Sequence, residues 1–142
     1  MITIDNFQLI DTENLFTLFE DWDKNHQFDK AVFLKSIDSV YKNSKLIIDR
    51  HDDQLVGYAQ MTKNFNLGFE PFYEIVQILV SEKMRGQGIG KMIIKRIEDI
   101  SISEDIRVLK LSSQVHRSKS HVFYENQGFE MHKISKFYEK RV

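Results

Sequence analysis

Arg85-Gly86-Gln87-Gly88-Ile89-Gly90-Lys91 is the stretch whose residue types and spacing point most directly to chemistry. Glycines at 86, 88 and 90 let backbone N–H groups approach an anion with no Cβ in the way. An apolar run ending at Val80 precedes them, and Ile89, Ile93, Ile97 and Ile100 follow at helical spacing. Strand, loop and helix in that order set the loop at a helix N-terminus, where the dipole and the unpaired first-turn donors favour phosphate. The surroundings agree in sign, since residues 81–97 carry Lys83, Arg85, Lys91, Lys95 and Arg96 against Glu82 alone. The spacing is neither the G-x-G-x-x-G of dinucleotide sites nor the G-x-x-x-x-G-K-[ST] of triphosphate sites. Glycines at a strand-to-helix turn can also serve the turn alone, so the loop by itself leaves its ligand open.

A second stretch lies downstream, Ser112 to Phe129, reading S-S-Q-V-H-R-S-K-S-H-V-F-Y-E-N-Q-G-F. Its Arg117, Ser120, Phe123-Tyr124 and Gly128-Phe129, taken with the R-G-x-G-I-G of Arg85 to Gly90, resemble the two signatures of the GNAT superfamily of N-acetyltransferases. That resemblance implies acetyl-CoA as cofactor and CoA as product. It assigns the pyrophosphate to Arg85, Gly86, Gln87, Gly88, Ile89, Gly90 and Lys91, and the pantetheine amides to the backbone of Ile78, Leu79 and Val80. Arg117, Ser120, Phe123 and Tyr124 would complete the cofactor side, although many relatives carry asparagine where this chain has Arg117. Tyr124 is implied as donor to the departing thiolate. Glu74 is the candidate base or water-holder, because relatives often draw a glutamate from the same strand.

The implied reaction is direct acyl transfer from a thioester to a primary amine of a small molecule or peptide. A lysine-like amine has a pKa of ~10.4, so baring its lone pair at pH 7 costs about 4.6 kcal/mol, and a base or a relay of waters has to be near. Charge developing on the acyl oxygen suits backbone N–H groups near Leu79 and Val80. A phenol near ~10 is a weaker acid than a thiol near ~8.5, so Tyr124 is expected to act by hydrogen bonding. Gln77 can orient a water but is no base. His26, His116 and His121 are weaker candidates, since a histidine in a polar segment is usually just solvated. No two histidines share a ligand spacing with a carboxylate, so no metal is expected. The alternative to an enzyme is an acyl-CoA-binding sensor or regulatory protein without efficient catalysis.

These residues need a framework, and 142 residues with 42% hydrophobic and 29% charged content give room for one domain, residues 1–142. A formal net charge of -1 offers no field for nucleic acid. Cysteine is absent, which removes disulfides, thiolate metal sites and a cysteine nucleophile. With no apolar run long enough for a membrane span and no signal-peptide pattern at the start, a cytoplasmic protein is expected. The first thirty residues are acidic, with Asp5, Asp11, Glu13, Glu20, Asp21, Asp23 and Asp29 facing only Lys24 and Lys30. That is either a solvated helix face or a surface for a cationic acceptor.

Patterning gives the order strand (Met1 to Asp5), two helices with stripes Leu15/Leu18/Phe19/Trp22 and Phe33/Ile37/Val40/Tyr41, and a hairpin about His51-Asp52-Asp53. A central strand, Phe72 to Val80, leads to the glycine loop and a helix to about Ile102. A strand from Ile106 to Leu111, a helix from about Arg117 to Gln127, and strands Phe129 to Ile134 and Phe137 to Val142 follow. This is an α+β chain, and the resemblance implies the GNAT fold: a mixed, twisted sheet of about 6–7 strands, four helices and a splayed central strand pair. In that fold the first two helices, their loop and the last hairpin form the acceptor site. The final strand, Phe137 to Val142, offers an edge for pairing with a second copy as a homodimer.

Overall fold

The computed structural model describes residues 2–142, so Met1, where the predicted opening strand begins, lies outside the described residues. Two compact units divide after Ser112. The first holds a five-stranded sheet in the order β1-β2-β3-β4-β5, made of β1 (Ile2–Asn6), β2 (Lys45–His51), β3 (Gln54–Asn64), β4 (Phe72–Val80) and β5 (Leu109–Lys110). The first four pair antiparallel, and β5 joins β4 in parallel. Helices α1 (Thr12–Trp22) and α2 (Lys30–Asn43) connect β1 to β2, and α3 (Ile89–Ser103) connects β4 to β5. The sheet therefore has fewer strands than the six or seven expected.

Local chemistry explains most of these bounds. Asp52 and Asp53 have φ of 49° and 66°, the left-handed pair that a two-residue hairpin turn requires. Asp29 caps α2, its carboxylate accepting from the N–H groups of Ala31 and Val32 at 2.8 and 3.2 Å. Asp11 stands at the start of α1 but caps nothing there. Its buried carboxylate accepts instead from the Gln8 N–H at 2.8 Å and from Arg50, which ties the helix to β2.

One face of the sheet meets α1 and α2. Tyr58 and Leu79, opposite each other in register, join Leu15, Leu18 and Phe19 in a core edged by Phe33, Ile37 and Val40. The other face meets α3, whose Ile89, Ile93, Ile94 and Ile97 are each at most 1% exposed. Burying each such side chain contributes roughly 1.5–3 kcal/mol. The helix comes close because β3 has Gly57 beneath it, where a Cβ would stand 3.0 Å from Ile89 Cγ2 and 3.1 Å from Ile93 Cδ1. Glu104, just past the helix, fixes the far end by accepting from Tyr73 Oη and from Lys45 Nζ at 2.7 Å, with Lys63 at 3.2 Å. Desolvation acts to raise this carboxyl, but those donors outweigh it and hold the pKa at about 2.

Asp49 breaks the pattern of this core. It lies opposite Gly57 in β2, is fully buried, and neither carboxylate oxygen accepts a hydrogen bond among the described residues. Burial first, and the charge of Asp5 second, raise its pKa from 3.8 to about 6. A raised carboxyl pKa means the native state binds more protons than the unfolded chain between those two values, so stability falls as pH rises through that window. The full penalty, at most about 3 kcal/mol, is in force above pH ~6. Asp49→Asn should therefore be about 1–2 kcal/mol more stable than wild type in urea at pH 8, with the gain gone at pH 3.5. An equal gain at both pH values would mean that packing, not ionisation, is responsible.

The second unit, Ser113–Val142, contains α4 (Ser118–Asn126) and no strand. The predicted strands Phe129 to Ile134 and Phe137 to Val142 are thus corrected to irregular chain. Met131, Ile134, Phe137 and Tyr138 are all exposed there. Their spacing switches between odd and even, so no single face of a strand would be apolar throughout. The strand predicted over Ile106 to Leu111 is shorter too, because only Leu109 and Lys110 pair with β4 before the chains diverge. Among the described residues no helix is long and apolar enough to cross a membrane.

Candidate active site

The candidate site begins with β4, because its register decides where Glu74 points. Gln77 to Val80 pair residue for residue with Gln60 back to Gly57, but Met61 then faces Ile75 and the register shifts by one. Val76 is the extra residue, a β-bulge that flips the alternation for everything before it. Tyr73 and Ile75 accordingly turn to the α3 face and are buried, and Tyr73 is anchored there by Glu104. Glu74, paired with Thr62, joins Gln77 and Leu79 on the face covered by α1 and α2. It is half-buried, and no hydrogen bond or ion pair holds it among the described residues.

The other edge of β4 has a strand partner over only two residues among the described residues. Tyr73 and Glu74 pair with Leu109 and Lys110, and from Ile75 to Val80 no strand pairs with that edge. The backbone of Ile78, Leu79 and Val80 therefore lies on a stretch of edge with no strand partner among the described residues.

At its end β4 passes through a short 3-10 turn, Glu82–Met84, into the glycine loop. Gly86 and Gly88 have φ of 78° and 83°, and a Cβ at either would meet nothing within 4 Å. Gly88 is the N-cap of α3 with no side chain to cap it, and its carbonyl accepts from Met92 N at 3.1 Å. The first N–H groups of α3, those of Ile89, Gly90 and Lys91, are thus left for a ligand. Ile89 anchors the turn in the core while Arg85, Gln87 and Lys91 stay exposed. Open space above two left-handed glycines, an uncapped helix N-terminus and an exposed lysine fit a phosphate group. Arg85 departs from the simple expectation, because its guanidinium donates to protein carbonyls: Nε to Val80 O at 3.3 Å and Nη2 to Trp22 O at 3.4 Å. Gln87 likewise donates to Lys83 O at 3.4 Å.

The second unit explains why Tyr124, Gly128 and Phe129 stand at their offsets. Helix α4 ends in a Schellman cap: Phe129 N–H donates to Tyr124 O and Gly128 N–H to Glu125 O, both at 3.0 Å, with Gly128 at φ 91°. The Phe129 ring then packs edge-on against Tyr124, centroids 6.0 Å apart, and the Phe123 ring lies 5.3 Å from it in a tilted arrangement. Tyr124 thus has two aromatic neighbours within its own unit. Burial raises its phenol pKa, and the nearby Arg117 charge only partly offsets this. Ser120 is half-buried on the same helix and Arg117 stands exposed at its N-cap. His121 Nε2 sits 2.9 Å from Gln114 O, which gives that histidine a local structural partner. Gly128→Ala should raise the mobility of Tyr124, seen as a weaker and broader near-ultraviolet tyrosine signal.

Comparison with known proteins adds to this geometry. The sequence model described as "Acetyltransferase (GNAT) family" matches residues 8–129. No curated protein matches the chain in sequence. Among solved structures, a transcriptional regulator from Bacillus halodurans C-125 superimposes with a TM-score of 0.86 at 22% identity, over 98% of this chain and 100% of that one. AAC(6')-Iy in complex with the bisubstrate analog CoA-S-monomethyl-acetylneamine gives 0.86 at 18% identity, over 100% and 99% of the two chains. Aminoglycoside 6'-N-acetyltransferase AAC(6')-IG from Acinetobacter haemolyticus gives 0.83 at 16%, over 99% of each chain. At such identities the likeness establishes the fold.

Proposed function

The chain belongs to the GNAT acetyltransferase family, and from that premise we propose that it is an acetyl-CoA-dependent N-acetyltransferase acting on a primary amine. The observation that carries this reading is the loop from Arg85 to Lys91, with two open left-handed glycines leading into an uncapped helix. In the proposal this loop and the first N–H groups of α3 bind the pyrophosphate, and the open β4 edge at Ile78, Leu79 and Val80 bonds the pantetheine amides. Acetyl-CoA supplies an acetyl group activated as a thioester. Glu74, aided by Gln77 through a shared water, takes the proton from the amine. Tyr124 donates a hydrogen bond to the departing thiolate, and Arg117, Ser120 and Phe123 orient the cofactor side. Both units act as one catalytic domain in this reading. A homodimer would pair through the final segment, Phe137 to Val142, and a cytoplasmic setting suits a consumer of acetyl-CoA.

The acceptor is a cationic amine. Of the acidic residues at the start of the chain, Asp11 is bound by Arg50, Glu13 by Lys30 and Asp29 by the cap of α2. Glu20 and Asp21 remain exposed beside Trp22 and the α1–α2 loop. The test is mass spectrometry of polyamines, aminoglycosides and lysine peptides after incubation with acetyl-CoA. Acetyl gain on one class supports the proposal, and no gain across all with intact cofactor binding favours a sensor. That second reading has one structural relative described as a transcriptional regulator. Glu74→Gln is expected to lower turnover by about tenfold, less than the roughly 100-fold or more of an obligatory positioned base because a water relay survives, with the acetyl-CoA KM unchanged. Unchanged turnover would remove Glu74 from the chemistry.

A further inference from the structure

Arg85 occupies an unusual position. It is the first residue of the glycine loop, yet its side chain spans two carbonyls from different elements, Val80 O at the end of β4 and Trp22 O at the end of α1, 63 residues away in sequence. The last carbonyls of a helix lack intrahelical partners and carry the negative end of its dipole, so a guanidinium suits Trp22 O on both counts. A planar guanidinium holds two acceptors in a fixed relation, as a lysine ammonium on a flexible stem does not. Trp22 in turn is packed into the α1–α2 loop: its ring lies 6.4 Å from Phe19 and 6.4 Å from Phe28, and Phe28 lies 4.4 Å from His26. A second link runs alongside, Lys24 Nζ to Glu82 Oε2 at 3.4 Å, both exposed and adding little energy by itself.

We infer that Arg85 is a positioning residue that couples the glycine loop to the α1–α2 loop, so that cofactor binding sets the acceptor side. The inference rests on the proposed function, in which the glycine loop takes acetyl-CoA and the α1–α2 loop borders the amine. Backbone N–H groups at 86–90 that turn toward a bound phosphate carry the Arg85 backbone with them. The guanidinium passes that displacement to Trp22 and, through the Phe28 ring, to His26.

Trp22 is the sole tryptophan of the chain, so its fluorescence reports the effect without any turnover. CoA is titrated into the full chain and followed by fluorescence and by calorimetry, in wild type, Arg85→Lys and Arg85→Gln. The expected result is a saturable wild-type signal tracking the calorimetric Kd. Both variants should lose most of that signal at CoA concentrations that calorimetry shows to be saturating for each, whatever their Kd, and their amine KM should rise about fivefold, the lower end of allosteric couplings. Arg85→Lys is the decisive variant, because it keeps a charge for phosphate but loses the rigid planar fork that holds the two carbonyls in a fixed relation. A wild-type response in Arg85→Lys would overturn the bridge in favour of plain charge. Heat of binding without any wild-type Trp22 signal would overturn the coupling and leave the proposed function standing. No heat in wild type would overturn the proposed function and the coupling with it.

Discussion

Gly88→Glu is expected to abolish acetyl-CoA binding, with a loss of at least about 100-fold in affinity, or about 2.7 kcal/mol. Three effects add in the same direction. Gly88 has φ of 83°, and a non-glycine residue held in the left-handed region costs roughly 1–3 kcal/mol. Its Cβ would point into open space, so the protein does not clash and should still fold, but the new side chain fills the volume that a phosphate needs. The carboxylate also repels a pyrophosphate and competes for the same helix N-terminus. Calorimetry should detect no heat with CoA, while far-ultraviolet circular dichroism stays as in wild type. Undiminished CoA binding by a folded Gly88→Glu variant would take the loop out of the mechanism.

Tyr124→Phe carries the second large effect: turnover should fall about 100-fold, within the span for losing one hydrogen-bond donor to developing negative charge, while the CoA Kd moves less than about twofold. The split follows from the geometry of α4. Phe123, Phe129 and the Schellman cap hold the ring in place, and phenylalanine keeps those contacts while losing only the hydroxyl. Because burial raises the phenol pKa further above that of a thiol, the hydroxyl stays protonated and acts as a hydrogen-bond donor. The pH-rate profile of wild type should therefore have no falling limb from Tyr124 below pH ~10. Equal turnover in wild type and Tyr124→Phe would make the residue a packing element of α4 and no more.

Much of this arrangement is legible in residue types, and what escapes the sequence has physical causes. Gly88 and Gly128 announce left-handed positions, and the isoleucines at 89, 93, 97 and 100 announce the helix that the loop feeds. The apolar run from Phe72 to Val80, broken only at Glu74 and Gln77, gives β4 with its bounds as observed. The face taken by Glu74 is different, because it depends on a bulge opposite Met61, a property of the pairing between β3 and β4 and not of β4 alone. The link from Arg85 to Trp22 escapes for the same reason: no spacing rule joins a loop to a helix end so distant in sequence. Asp49 reads as the first of three polar residues, Asp49 to His51, that lead from Leu46-Ile47-Ile48 into the hairpin turn, and only the approach of α3 over Gly57 makes it a fully buried carboxylate without a hydrogen-bond partner among the described residues. The two C-terminal strands were expected from apolar content, but apolar residues that change parity give no continuous face to bury.

The central claim is that this chain moves an acetyl group from acetyl-CoA to an amine, and initial-rate thiol release measures it most directly. Purified wild type and Gly88→Glu would be followed with acetyl-CoA in the presence and absence of each amine class. The account predicts release that rises with one class of cationic amine, saturates with acetyl-CoA and is lost in Gly88→Glu. Release at the same rate without amine, or in the Gly88→Glu protein, would contradict it.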